Sequence, residues 1–156
     1  MNKSLYIETY GCQMNFSDSE IVNSILRENN SELIDNIEDA DIILINTCSI
    51  RDNAEKRIFN RLRELEHLKK KNKELVIGII GCMAERLQEN LISDKSIVDI
   101  VVGPDCYREL PVLISKALKG KAQVSTVLSE TETYDDINPV RINSNGVSAF
   151  VSIMRG

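Results

Sequence analysis

The chain has 156 residues, is 42% hydrophobic and 28% charged, and carries a formal net charge of −5. That balance suits one soluble domain of ordinary size with its own core. The acidity excludes a broad basic face for gripping nucleic acid, so any RNA contacts would come mainly from elsewhere.

The N-terminal stretch "KSLYIETYG" reads as a strand. Residues 17–29 read as a helix, with Ser17 as N-cap, Glu20 completing a capping box, and Ile21, Val22, Ile25 and Leu26 as the apolar face. "SELID" suits a short edge strand, and "ADIILINTC" is a nearly continuous β-branched run, as in a parallel strand buried on both faces. A long helix follows over about residues 50–71, capped by Ser49 with Asp52 at the box position. Its stripe is Ile50, Ala54, Ile58, Leu62 and Leu65. It ends in "KKKNK", where lysines suit the negative end of the helix dipole or simple solvation. "ELVIGIIGC" is another buried strand, residues 83–92 a shorter helix, and "SIVDIVVGP" the next strand. "YRELPVLISKALKG" is a helix with Pro111 in its first turn and Gly120 at its stop.

This alternation predicts an α/β fold: an open, mainly parallel sheet with helices on both faces, a three-layer arrangement of flavodoxin or Rossmann type. After Gly120, "KAQVSTVL" is extended and "SETETYDDINP" is acidic, polar and Pro-terminated. The expected division is a domain over 1–128, a linker over 129–144, and a new apolar strand over 145–156 that opens a further domain. The longest apolar runs are too short to cross a bilayer. "MNKSLYIETYG" has neither a signal-peptide layout nor an Arg-rich amphipathic segment, so the cytoplasm is the expected compartment.

There are four cysteines. A reducing compartment argues for metal binding, catalysis or plain burial rather than disulfides. Cys12, Cys48 and Cys82 each stand just past a predicted strand and just before a helix, 36 residues apart (12 to 48) and 34 apart (48 to 82), about one β-α-β unit each. In an open parallel sheet, ligands bind outside the carboxyl ends of the strands, so three thiols aim at one edge. Helix N-termini beside them would favour thiolate, and a thiolate trio suits a soft metal or an iron–sulfur cluster. Gly11 and Gly81 would let backbone come close to a bulky cofactor. The bland alternative is three cysteines with no common role. Cys106 lies beyond its strand and reads as a packing residue, which leaves three ligands and one open iron on a four-iron cubane. The lone histidine, His67, reads as a surface residue. Gln13, Asn15, Asn46 and Thr47 flank the thiols and suit either hydrogen bonding to a cofactor or capping and turn formation.

At these residues the sequence resembles a known family. "YGCQMNFSDSE", "ILINTCSIRDNAEKRIFNRL" and "IIGCMAER" are similar to the N-terminal domain of the radical S-adenosylmethionine methylthiotransferases, and "AFVSIMRG" to the lead-in to that family's radical domain. Within the family, "GCQMN" and "NTCSIRDNAE" look most like the branch acting on isopentenyladenosine in tRNA. The resemblance implies an auxiliary [4Fe–4S] cluster on Cys12, Cys48 and Cys82. It also implies a second [4Fe–4S] cluster on a CxxxCxxC motif that this sequence does not contain. By the same resemblance, this domain serves the transfer of a methylthio group to C2 of an isopentenylated adenine beside the anticodon. S-adenosylmethionine and tRNA are the implied partners, the enzyme is a cytoplasmic monomer, and the 156-residue chain alone is expected to be inactive. The alternatives are a non-catalytic flavodoxin-like binding module, a structural zinc domain, or a related branch acting on threonylcarbamoyladenosine in tRNA or on a ribosomal protein.

Overall fold

Each apolar run becomes a strand of one sheet. The structure, a computed structural model, describes residues 2–48, 53–87, 91–92, 96–126 and 132–142. The strands are β1 (Lys3–Tyr10), β2 (Ser31–Leu33), β3 (Ile42–Thr47), β4 (Val76–Ile80), β5 (Ile100–Val102) and β6 (Gln123–Ser125). They pair in the order β2-β1-β3-β4-β5-β6, and every neighbouring pair is parallel. The predicted α/β class is borne out, with "SELID" as the expected edge strand.

Parallel pairing needs crossovers, and among the described residues four helices supply all but the one from β2 to β3: α1 (Gln13–Glu28), α2 (Ala54–Lys71), α3 (Cys82–Leu87) and α4 (Leu110–Ala117). Alternate residues of β3 point to opposite faces. Ile42 and Leu44 join Val22 and Leu26 of α1 and Leu110 and Ile114 of α4 in one buried layer. Ile43 and Ile45 join Ile58, Leu62 and Leu65 of α2 and Met83 of α3 in the other. Burying each such Ile or Leu is worth roughly 1.5–3 kcal/mol. The sheet therefore has an apolar reason to form that does not depend on a metal.

The start of α1 departs from expectation. It begins a turn before Ser17, with Cys12 at the N-cap (φ −93°) and Asn15, not Glu20, at the third helical position. The Cys12 N–H donates to Asn15 Oδ1 at 3.2 Å, the bond a glutamate usually accepts in a capping box. Ser17, Asp18 and Ser19 are consequently inside the helix and buried. The expected Ser49 and Asp52 caps of α2, with Ile50, lie outside the described residues; α2 is described from Ala54, with Asn53 in the cap position. Of the shorter helix expected over 83–92, the described part is α3, which starts at Cys82 itself. Lys69 is not merely solvated: its Nζ pairs with Asp99 Oδ2 at 2.6 Å.

Of the expected linker, residues 132–142 are described, and they lie against α1 and the segment that leads into α4. Tyr134 is buried and its hydroxyl donates to the Pro104 carbonyl at 2.9 Å. Further on, Arg141 Nη1 pairs with Glu20 Oε2 at 2.7 Å. No helix among the described residues is long and apolar enough to cross a membrane.

Candidate metal centre

The strand order reverses between β1 and β3. The chain leaves β1 toward β2 on one side and leaves β3 toward β4 on the other. Such a switch point opens a crevice at the carboxyl ends of the strands. Tyr10, the last residue of β1, is in register with Thr47, the last of β3, and Asn46 is in register with Ile80, the last of β4. Cys12, Cys48 and Cys82 follow these ends directly, so the three turns bring all three thiols to one edge. Cys12 and Cys82 are exposed and Cys48 is half-buried.

Two glycines make the close approach possible. Gly11 has φ +138°, and a methyl group there would lie 2.4 Å from Asn15 Oδ1 and 3.0 Å from Cys48 Cβ. Gly81 has φ +94°, and a methyl there would lie 2.6 Å from Asn46 Oδ1 and 2.7 Å from the Thr47 carbonyl oxygen. Both the backbone conformation and the space are therefore closed to other side chains.

Beneath the thiols lies a buried polar network. Asn15 Nδ2 donates to Asn46 Oδ1 at 3.1 Å, and Asn46 Nδ2 donates to the Asn15 carbonyl at 2.7 Å and to Ser19 Oγ at 3.0 Å. Ser19 Oγ shares a hydrogen bond with Thr9 Oγ1 at 2.7 Å. Asn15 Oδ1 also accepts from Cys12 Sγ at 3.5 Å. Thr47 is buried and points its hydroxyl at the Cys48 carbonyl. Of the flanking residues singled out in the sequence, Asn15, Asn46 and Thr47 are brought together. Gln13 is exposed and its side chain makes no hydrogen bond among the described residues. Cys106 is 4% exposed and belongs to the apolar core. His67 is exposed on α2, against the Glu64 carbonyl.

Sequence reasoning missed Thr9, Ser19 and Asp18. Asp18 is 4% exposed and accepts from the Tyr107 hydroxyl at 3.1 Å. The signal was present: Asn15, Ser19, Val22 and Leu26 recur at helical spacing, so the first two continue the buried stripe of the last two.

The electrostatics depart from expectation at Cys82. Helix N-termini were expected to favour thiolate, yet burial pushes the Cys82 thiol up, and Cys48, Asp18, Glu85 and Cys12 push it further. Each of these neighbours is negative when ionised. Three cysteine sulfurs make a soft donor set, the kind that suits a metal group held through sulfur. Among the described residues, no group of three or more His, Cys, Asp and Glu converges tightly enough to hold a single ion. The three thiols share one edge of the sheet without closing a metal cage.

The profile of the uncharacterized protein family UPF0004 matches residues 4–103. The chain is similar over its full length, at 54% identity, to a protein of Amoebophilus asiaticus named tRNA-2-methylthio-N(6)-dimethylallyladenosine synthase, of which it covers 32%. Proteins of the same name from Chloroherpeton thalassium (53% over 97% of the chain, 33% of the relative) and Bacteroides thetaiotaomicron (52% over 99%, 34% of the relative) match in the same way. The resemblance expected from the three cysteine motifs is borne out by these names. The chain spans about a third of the length of the curated relatives it matches.

Proposed function

The chain belongs to the protein family UPF0004, and from that premise we propose that it holds an iron–sulfur cluster through Cys12, Cys48 and Cys82 and serves a tRNA methylthiotransferase. The observation that supports the proposal is the set of three thiols just past the ends of three adjacent parallel strands. The names of the relatives supply the substrate class: an isopentenylated adenosine in tRNA that receives a 2-methylthio group.

A four-iron cluster bound here would supply one iron without a protein ligand, at which sulfur can be held. The chain's own residues do the rest. Cys12, Cys48 and Cys82 would hold the group through their sulfurs, as thiolates whose charge offsets that of the metal. Gly11 and Gly81 let backbone lie against the group without side chains in the way. The wall formed by Asn15, Asn46 and Thr47 keeps water from entering behind the thiols, since all three are buried.

In this proposal the radical step falls to the parts of the relatives that the chain does not span. Four cysteines are present in these 156 residues, none in a CxxxCxxC arrangement, so a second [4Fe–4S] cluster cleaving S-adenosylmethionine has no ligand motif here. Binding of tRNA mainly through other parts, a monomeric state and a cytoplasmic location belong to the same proposal.

Anaerobic reconstitution with iron and sulfide tests it. One four-iron cluster per chain with a brown visible spectrum is expected, lost in Cys12→Ala, Cys48→Ala and Cys82→Ala and retained in Cys106→Ala. A colourless chain would favour a binding module with incidental cysteines, one zinc per chain a structural zinc site, and equal iron loss in Cys106→Ala would overturn the three-ligand count.

A further inference from the structure

Strand β3 is buried along its whole length, and its first four residues are Ile, Ile, Leu and Ile. The fifth is Asn46, with 0% of its surface exposed. A carboxamide in that position is costly unless its polar atoms are satisfied, and here both donors and the acceptor are used. The partners are what matter. Asn46 bonds to the main chain and side chain of Asn15, whose Oδ1 in turn holds the Cys12 N–H. It lies on its own strand two residues before Cys48. Its Oδ1 also lies against Gly81, the residue before Cys82, close enough that any Cβ there would collide with it. One side chain thus reaches the turns of Cys12 and Cys82 from the strand that carries Cys48.

We propose that Asn46, with Asn15 as its partner, is the positioning residue of the thiol locus: it sets where Cys12, Cys48 and Cys82 stand relative to one another. A leucine has nearly the shape of asparagine and would satisfy the apolar surroundings of β3 equally well, so packing alone gives no reason for the amide. The amide is directional. It ties the first turn of α1 to the tip of β3, whereas a hydrophobic side chain would let the two slide. Outer-sphere residues that orient metal ligands typically change metal affinity by about 10- to 100-fold when removed, and that is the scale expected here.

The test uses two probes on the same variants. The first is phenylarsine oxide on the metal-free chain. Its trivalent arsenic bridges two thiols, forming two As–S bonds while the two thiol protons leave with the oxygen as water, so it reports convergence of thiols without iron. The second is iron per chain and the visible spectrum after anaerobic reconstitution; only this arm rests on the cluster reading above. In Asn46→Leu, arsenical affinity and iron uptake are both expected to fall about 10- to 100-fold in a chain that still melts cooperatively. Ile114→Ala on α4, a core truncation away from the thiols, should lower the melting temperature and leave both probes unchanged. Should Asn46→Leu fail to fold, Ser19→Ala removes a single anchor of the Asn46 amide and should weaken both probes in the same direction by a smaller factor. A folded Asn46→Leu chain with parental arsenical affinity and iron content would overturn the positioning role and leave the cluster reading standing. A parent that binds the arsenical and no iron would overturn the cluster reading, while the arsenical arm still decides the role of Asn46.

Discussion

Replacing Gly81 by alanine tests whether the backbone at the thiol edge is as constrained as its geometry implies. The substitution acts twice. Holding an L-residue in the left-handed region costs about 1–2 kcal/mol. The new methyl would also sit 2.6 Å from Asn46 Oδ1 and 2.7 Å from the Thr47 carbonyl. The carbonyl belongs to the β3 main chain and cannot move alone, so Asn46 must give way and lose at least one buried hydrogen bond, about 1–3 kcal/mol. The total is about 2–5 kcal/mol, against a stability of about 5–15 kcal/mol for a typical domain. Gly120 is the matched control: its φ is +79° and a Cβ there meets nothing within 4 Å. Gly120→Ala should therefore show only the backbone cost, about 1–2 kcal/mol. At about 2–4 °C per kcal/mol for a domain of this size, Gly81→Ala should melt several degrees below Gly120→Ala. The assay is thermal unfolding of both metal-free variants by circular dichroism. Indistinguishable melting temperatures would refute the claim that Asn46 and the Thr47 carbonyl close the space at Gly81.

Three further outcomes are expected. The metal-free chain should show the circular dichroism of a folded α/β domain, because β3 and β4 bury their residues without help from a cluster; an unfolded spectrum would count against this. The Tyr10 pKa is raised to about 12, by burial first and then by its hydrogen bond to Glu8. A raised folded-state value means the contribution is complete below pH 10 and fades as pH climbs toward about 12. Denaturant titrations should show a shallower alkaline decline in Tyr10→Phe than in the parent, and parallel curves would contradict it. Finally, reconstituted 156-residue chain given reductant, S-adenosylmethionine and isopentenylated tRNA should release no deoxyadenosine. Release above a no-protein control, followed by chromatography, would remove the need for a second cluster elsewhere.

The β-branched runs made the strands legible, because a continuous apolar stretch such as "IILIN" has few other places to go. The cysteines were legible as a set for the same reason: each follows a run whose end is visible. The start of α1 was not. Ser17 and Glu20 match the usual capping box, while the true box uses Cys12 and Asn15, in which asparagine does the work of glutamate from a shorter side chain. The pairing of Asn15 with Asn46 spans 31 residues and exists only once β1 and β3 lie side by side, so no local pattern announces it. Tyr134 was hidden by its acidic neighbours. Its ring nevertheless stacks on Tyr107 with centroids 5.7 Å apart and the Arg108 guanidinium 5.1 Å from its own.

The strand order also bears on the sequence of events during synthesis. From β3 onward, each strand is laid on the edge left by the one before it, so the sheet can grow outward in the order in which the ribosome delivers it. Parallel pairings close long loops and are slow to form, but here none has to wait for a strand made much later to be inserted between earlier ones. Every residue of the thiol edge and of the amide network beneath it lies between Thr9 and Cys82, so the locus can mature while the second half of the chain is still emerging. Pulse-labelled hydrogen exchange during refolding should accordingly protect the amides of β1, β3 and β4 before those of β5 and β6; simultaneous protection would mean that the outer strands are needed to fix the inner ones.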